Sequence, residues 1–184
     1  EERLVMDAID LELTTVEASP TNADPFSVID STFSVPPGAE NHTVVTECGV
    51  PEPLALHMVL GHTHDWGVLF TLDVVRDGVA EQLYYATDGP ALRDNPEIIF
   101  FDDPVELVPG DTVRVTCSWT NATDEPLTWP EEMCVGLMYY SPGQGFLICD
   151  QGEDLPDIDD GPPSGPGCVP DGHEGNELGV GQHC

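Results

Sequence analysis

Lysine is absent from the sequence, and arginine occurs at only four positions against 35 aspartate and glutamate residues. The formal net charge of −31 argues against a nucleic-acid partner, because such binding depends on cationic side chains that neutralise phosphates. Anionic membrane surfaces are disfavoured for the same reason. Two interpretations of the acidity stay open: a surface that keeps a secreted or salt-exposed protein soluble, or one that attracts cations, metal ions included.

Long apolar runs are missing as well. The longest are strand-sized, such as residues 98–101, so no membrane insertion is predicted. Six cysteines in such a chain favour an oxidising compartment, and we predict a secreted, periplasmic or cell-surface protein. Because the chain starts at Glu1 without an initiator methionine, we expect that a signal peptide or an upstream domain has been removed.

No stretch shows a helical period with caps, whereas short apolar or β-branched runs alternate with Pro, Gly and polar breaks. Residues 112–119 alternate as a half-buried strand does, and residues 133–140 form a last long apolar strand. We therefore predict an all-β fold, an antiparallel jelly-roll-like β-sandwich over residues 1–150. Residues 151–184 are predicted to be an irregular acidic tail rich in Gly, Pro and Asp, ending in a small loop closed by Cys168 and Cys184.

His62 and His64 lie at the end of a strand-like run. Alternate residues of a strand point to the same side, so both imidazoles can share one metal ion, although such a pair is also common on surfaces and in cores. Met133 is the candidate third ligand, because a thioether favours Cu(I) over Zn²⁺, Ca²⁺ or Mg²⁺; a Met at a strand start is also an ordinary core residue. Cys134 can pair with Cys117 of the preceding strand, which would pin the Met133 segment to the sheet.

Several short segments, taken in order, resemble the C-terminal domain of the copper type II ascorbate-dependent monooxygenases, among them the peptidylglycine alpha-hydroxylating and dopamine beta-monooxygenases. They are VPPG at 35–38, Cys48, HTH at 62–64, VRDG at 75–78, PGD at 109–111 with Cys117, EEMC at 131–134, Tyr139-Tyr140 and Cys149. Each segment is weak alone, but together, in this order over roughly residues 10–150, they are a strong signal.

The resemblance implies a jelly-roll half that carries one copper ion, cycling between Cu(I) and Cu(II), which binds oxygen and hydroxylates the substrate. The family's copper ligands, two His and one Met, correspond to His62, His64 and Met133, which are thus the predicted metal ligands and catalytic residues. Ascorbate or another reductant is the implied electron source, and the implied partner is a small-molecule substrate of unknown identity.

The resemblance also implies a disulfide pattern. The family's two bridges correspond to Cys48–Cys149 and Cys117–Cys134. This leaves Cys168 and Cys184 for a local bridge in the tail, so that all six cysteines are used.

The sequence departs from the family in two respects. The family enzymes hold a second copper on three histidines of an N-terminal half, whereas the other histidines here are scattered at His42, His57, His173 and His183. Either the chain is a piece of a longer protein with an upstream copper domain, or it is a free-standing single-copper domain. The peptide-hydroxylating branch also grips a substrate carboxylate with Arg, Asn and Tyr, at positions that are apolar here: Leu60, Val135 and Leu137.

Three residues near the His pair have open interpretations. His57 is expected on the opposite side of its strand unless a bulge intervenes, which favours a structural role. Asp65 either orients a ligand His as a hydrogen-bond acceptor or is an exposed turn residue. Trp66 either shields the metal, stacks on a substrate or packs in the core.

Three functions follow from these observations. The first is a copper-dependent monooxygenase domain, the second a non-catalytic copper-binding module for storage, delivery or sensing, and the third an acidic interaction domain that kept the fold and lost the chemistry. The intact ligand set counts against the third. The apolar residues in place of the carboxylate grip count against a C-terminal glycine peptide as substrate.

Overall fold

The computed structural model describes residues 22–152, and the predicted all-β fold is confirmed there. The strands are β1 Asp24–Ile29, β2 Ser34–Val35, β3 His42–Gly49, β4 Leu54–His62, β5 Gly67–Arg76, β6 Val79–Ala86, β7 Ile99–Leu107, β8 Thr112–Trp119, β9 Leu127–Thr128, β10 Val135–Ser141 and β11 Leu147–Asp150, and one short helix, α1 Gly89–Asp94, lies between β6 and β7.

The strands form two larger sheets that face each other. One sheet has five strands in the order β11-β1-β10-β4-β7, and the other has four in the order β3-β8-β5-β6; β2 and β9 form a small separate pair. Neighbouring strands are antiparallel except β1 and β11, which are parallel. The sandwich is therefore antiparallel, as predicted, except for β11, a parallel strand at the edge of the five-stranded sheet.

The core lies between the sheets and is built from the alternate residues of each strand. Phe26, Met138 and Val59 face inward from the five-stranded sheet, and Phe70 and Val115 face them from the other. All five are fully buried. This alternation leaves the residues between them on the outer side of each sheet.

Two disulfides connect the sheets, and both pairings implied by the resemblance are present. Cys48–Cys149 joins β3 to β11 with a Cα–Cα distance of 6.3 Å. Cys117–Cys134 joins β8 to the segment just before β10, with a Cα–Cα distance of 5.9 Å. Both lie in the core cluster, so each bridge ties one layer of the sandwich to the other.

Two glycines pair across β4 and β10 next to the predicted site. Gly61 lies opposite Gly136 in the register. A Cβ on Gly61 would lie 2.2 Å from the Phe70 ring, and one on Gly136 would lie 2.8 Å from a Val115 methyl group. Side chains of the second sheet thus pack directly on this backbone, which fixes the end of β4 where His62 stands.

Local differences from the sequence prediction are found at turns. The last long strand begins at Val135 rather than at residue 133, so Met133 precedes it. Helix α1 was not predicted; its six residues are too short to show a period, and it begins with Asp88 capping the N–H of Ala91 at 3.2 Å. Within residues 22–152 there is no helix of the length and apolar character needed to cross a membrane.

The domain boundary near residue 150 stays a prediction. The predicted acidic tail, with Cys168, His173, His183 and Cys184, lies outside the described residues.

Candidate metal centre

His62 ends β4, and His64 follows it after one buried residue. Thr63 is fully buried, which places the two histidines on its other side. Their ring centroids are 5.1 Å apart, and the ring planes meet at 79°. The structure thus brings the two imidazoles together, as the alternation predicts.

Each imidazole is oriented by a backbone carbonyl. His62 Nδ1 lies 2.9 Å from the carbonyl oxygen of Leu92 in α1, and His64 Nδ1 lies 2.9 Å from that of Glu131. Because a carbonyl oxygen only accepts, both Nδ1 atoms must donate, and the proton-free nitrogen of each neutral ring is Nε2. A metal-binding His characteristically has this arrangement, with one nitrogen donating to the protein and the other available to the metal.

The charge state of His62 also suits a metal ligand. Its partial burial lowers the pKa of His62, outweighing the opposite effect of the hydrogen bond to the Leu92 carbonyl. His64 nearby lowers the pKa further, while Glu132 raises it. The neutral imidazole, which is the form that binds metals, is therefore favoured.

Glu132, which sequence reasoning missed as a site residue, connects the two segments that carry the predicted ligands. Its side chain is fully buried. One carboxylate oxygen accepts the backbone N–H groups of His64 and of Met133, the latter at 2.9 Å, and the other accepts that of Trp66 at 3.0 Å. A carboxylate with several N–H donors is stably buried and fixes those donors relative to one another.

Met133 lies directly between this carboxylate and a disulfide. It is half-buried, and the next residue, Cys134, is bonded to Cys117 of β8. Two residues further on, Val135 pairs with His62 across β10 and β4. The Met133 backbone is thus held beside both histidine-bearing residues.

The donor set fits copper better than a harder metal. Within residues 22–152, no group of three or more His, Cys, Asp or Glu side chains is arranged to hold a metal ion. The Met133 thioether, the third ligand predicted from the sequence, is a soft donor suited to Cu(I).

Comparison with known families also indicates copper. The family profile "Copper type II ascorbate-dependent monooxygenase, C-terminal domain" matches residues 26–155. The chain belongs to this family. No curated protein matches the chain.

Two solved structures show a distant likeness to this chain. The nucleoplasmin-like N-terminal domain of Drosophila FKBP39 is 10% identical, with a TM-score of 0.34 over 67% of this chain and 92% of that one. The infectious bursal disease virus VP2 subviral particle is 11% identical, with a TM-score of 0.34 over 73% of this chain and 37% of that one. At such scores neither likeness bears on function.

The positions of the monooxygenases' carboxylate grip lie around His62. Val135 pairs with His62, and Leu137 pairs with Leu60. Residues opposite each other on antiparallel strands lie on the same side of the sheet, with Cβ atoms about 4.5–5.5 Å apart. The side chains beside His62 are therefore apolar where the peptide-hydroxylating branch has charged and polar groups.

The remaining candidate residues have structural partners. A bulge between Leu56 and Met58 does intervene at His57, whose Nε2 lies 2.6 Å from Ser141 Oγ. Asp65 is exposed and pairs with Arg93 of α1 rather than with a ligand histidine. Trp66 packs against the core cluster.

Proposed function

We propose that the chain binds one copper ion through His62, His64 and Met133, and that it is the substrate-hydroxylating copper domain of a copper-dependent monooxygenase. Copper at this site would supply the redox chemistry that activates dioxygen for hydroxylation of a C–H bond. The family assignment supports copper and the monooxygenase class. The ligand set and the turnover are the parts that we propose.

One observation carries the ligand assignment: both histidines direct Nδ1 to a backbone carbonyl. This orientation is specific, since an exposed or core histidine has no need to present the same nitrogen to the protein as its neighbour does. It leaves the two Nε2 atoms as ligands, on histidines separated by one residue. Glu132 connects the Met133 segment to the histidines, because one of its carboxylate oxygens accepts the backbone N–H groups of both His64 and Met133.

The protein's own part in the reaction would be to hold these ligands and to admit the substrate beside them. Phe70 and Val115 pack on the paired glycines at the end of β4, and the apolar side chains next to His62 would exclude water from one side of the site. The second copper of the two-copper enzymes and the electron donor would come from outside this domain, the donor being ascorbate or another reductant.

A second candidate function is a copper-binding module for storage, delivery or sensing that does not turn over. The apolar residues Leu60, Val135 and Leu137 favour it, because they offer a peptide carboxylate no ionic partner. For either function we propose a secreted, periplasmic or cell-surface location, since the two disulfides fit an oxidising compartment.

An anaerobic Cu(I) titration against a chromophoric chelator tests the site. We expect one Cu(I) per chain, with affinity falling about tenfold or more in His62→Ala and Met133→Leu, because each removes a ligand. Met133→Leu keeps the side-chain volume, and His57→Gln is the matched control, since it removes a histidine from the same strand outside the site. Equal affinity in all four proteins would contradict the ligand assignment.

Ascorbate-driven oxygen consumption then separates the two functions. Oxygen uptake that is lost in Met133→Leu and coupled to a hydroxylated product would support the monooxygenase domain. Tight stoichiometric copper binding without product, even with a two-copper family member's N-terminal domain added, would favour the binding module.

A further inference from the structure

The outer side of the five-stranded sheet is apolar at the end where His62 stands. The outward positions alternate with core residues such as Phe26, Val59 and Met138, and the strand registers place them side by side. We call this surface the apolar face; its residues are Pro25, Ser27, Ile29, Met58, Leu60, Phe100, Val135, Leu137, Tyr139 and Ile148.

No residue of the apolar face carries a charge, although the chain has 35 acidic residues. Charged side chains lie around its edges, among them Asp150 beside Ile29 and the exposed Asp102, Asp103 and Glu106 of β7. Several of its side chains are open to solvent: Phe100 is 72% exposed, Ile148 48% and Tyr139 41%. Ser27 and Met58 of this surface are buried; exposed apolar side chains grouped around them in this way are characteristic of binding sites.

The outer side of the other sheet shows that the fold itself does not require an apolar exterior. There, Arg114 forms an ion pair with Glu47 at 2.6 Å, and Thr43 is hydrogen-bonded to Ser118 at 2.8 Å. This is the polar exterior that a solvated antiparallel sheet normally has. Exposed apolar side chains also occur there, Val45 at 53% and Tyr85 at 60%, but they stand among charged and polar residues. The apolar face has no charged member and lies on the side that carries the candidate metal centre.

The apolar face is continuous with that centre. Val135 lies opposite His62, Leu137 opposite Leu60, and Tyr139 opposite Met58. From His62 to Met58 the strand advances about 13 Å. An elongated ligand lying along these rows would have one end next to the imidazole of His62 and the other at the exposed rings of Tyr139 and Phe100.

We propose that the apolar face is the substrate-binding surface and that the substrate is an uncharged, hydrophobic molecule with an extended, alkyl-like body. This inference rests on the proposed function for its chemistry. An ionised substrate would lose hydration on this face without gaining a partner, whereas each methylene covered there contributes favourable transfer free energy. The acidic surroundings would additionally repel anionic substrates.

The test is the binding of 1-hexanol, 1-octanol and octanoate to the metal-free protein, measured by NMR chemical shifts or calorimetry. The buffer contains about 0.5 M NaCl, which screens the net charge of the protein. We expect affinity to rise about three- to fourfold per added methylene, and octanoate to bind about tenfold more weakly than 1-octanol or worse. If octanoate binds with the same affinity as 1-octanol, the proposal is overturned.

Two variants place the alcohol on the apolar face. Tyr139→Glu and Phe100→Glu alter exposed side chains, so the fold should tolerate them, and each should weaken 1-octanol binding about tenfold by adding a charge. Val45→Glu is the matched control, because Val45 is 53% exposed on the outer side of the other sheet. Equal effects of the three substitutions would contradict the assignment.

Two further measurements separate the alternatives. If sedimentation shows a wild-type dimer that Tyr139→Glu dissociates, the face is a self-association surface and the proposal is wrong. With Cu(II) added, the protons of bound 1-octanol should broaden by proximity to the metal. Retained 1-octanol affinity without broadening would place copper away from His62, which contradicts the proposed function but leaves the binding face intact.

Discussion

At the residue scale, the Glu132 carboxylate is fully buried and accepts hydrogen bonds from the main chain of two separate segments. It accepts the backbone N–H groups of His64, Trp66 and Met133 and is not itself one of the proposed ligands. The copper affinity of the site should therefore depend on a residue that does not itself touch the metal.

Replacing Glu132 by Ala should lower Cu(I) affinity about 10- to 100-fold, the range seen when residues that orient metal ligands are lost. It should also lower the free energy of unfolding by about 3 kcal/mol, because several buried N–H groups lose their acceptor. Glu132→Gln keeps one acceptor oxygen and should fall between. Chelator competition and urea unfolding measure the two effects.

Glu131→Gln is the control for the charge, since Glu131 is the exposed neighbour on the same segment. If Glu131→Gln and Glu132→Gln lower the copper affinity by the same factor, the Glu132 carboxylate acts through its charge and not by positioning the ligands. If Glu132→Ala binds Cu(I) as the wild type does, the positioning role is wrong.

The residues of the site differ in how far the sequence could predict them. The spacing of His62 and His64 was sufficient to predict that their rings lie together, because strand alternation alone puts both rings on one side. Glu132 was not recognisable, since in a chain with 35 acidic residues nothing local marks the one carboxylate that is buried. Residues 64 and 132 are far apart in the sequence and become neighbours only in the folded structure, so the role of Glu132 could not be inferred from its sequence context.

At the element scale, the two disulfides should have separable effects. Cys117–Cys134 closes a sequence separation of 17 residues and holds the Met133 segment, whereas Cys48–Cys149 closes 101 residues between β3 and β11. On loop-closure entropy, the longer loop should contribute about 4–5 kcal/mol to stability and the shorter about 3 kcal/mol. The order should be reversed for Cu(I) affinity, to which the Cys117–Cys134 bridge should contribute more than the Cys48–Cys149 bridge.

The double variant Cys117→Ala with Cys134→Ala should therefore lose copper affinity out of proportion to its loss of stability. The variant Cys48→Ala with Cys149→Ala serves as its control and should lose more stability while keeping Cu(I) affinity near that of the wild type, at temperatures where both remain folded. Unfolding and Cu(I) titrations on the same samples measure this. A loss of affinity that tracks stability in both variants would contradict the assigned role of the shorter bridge.

Helix α1 contributes to the site through one backbone atom, the Leu92 carbonyl that orients His62. Asp88 caps the helix by accepting from Ala91 N at 3.2 Å. Asp88→Ala should lower stability by about 1 kcal/mol and weaken Cu(I) binding several-fold, because the carbonyl becomes less well fixed. Glu81→Ala on β6 is an acidic control, and equal copper affinity of the two variants would show that α1 has no part in orienting His62.

The elements illustrate what a single sequence conveys. Residues 112–119 were predicted as a strand and form β8, because alternation over eight residues is a strong signal. Helix α1 was missed since its one turn is defined by a cap and a tertiary contact instead of a period. The apolar outer residues Leu60, Leu137 and Tyr139 gave their strands a more uniformly apolar character than a half-exposed strand should have, a signal that becomes clear only once their common side is known.

At the scale of the whole molecule, the net charge of −31 should oppose folding through self-repulsion. Ionic strength changes this directly, because the screening length falls from about 30 Å at about 0.01 M salt to about 3 Å at about 1 M. Raising NaCl across this range should therefore raise the melting temperature by about 5 °C, measured by calorimetry on the metal-free protein. An uncharged osmolyte at the same osmolality is the control, and a rise with the osmolyte as large as that with NaCl would show that the acidic residues are too dispersed for their repulsion to limit stability.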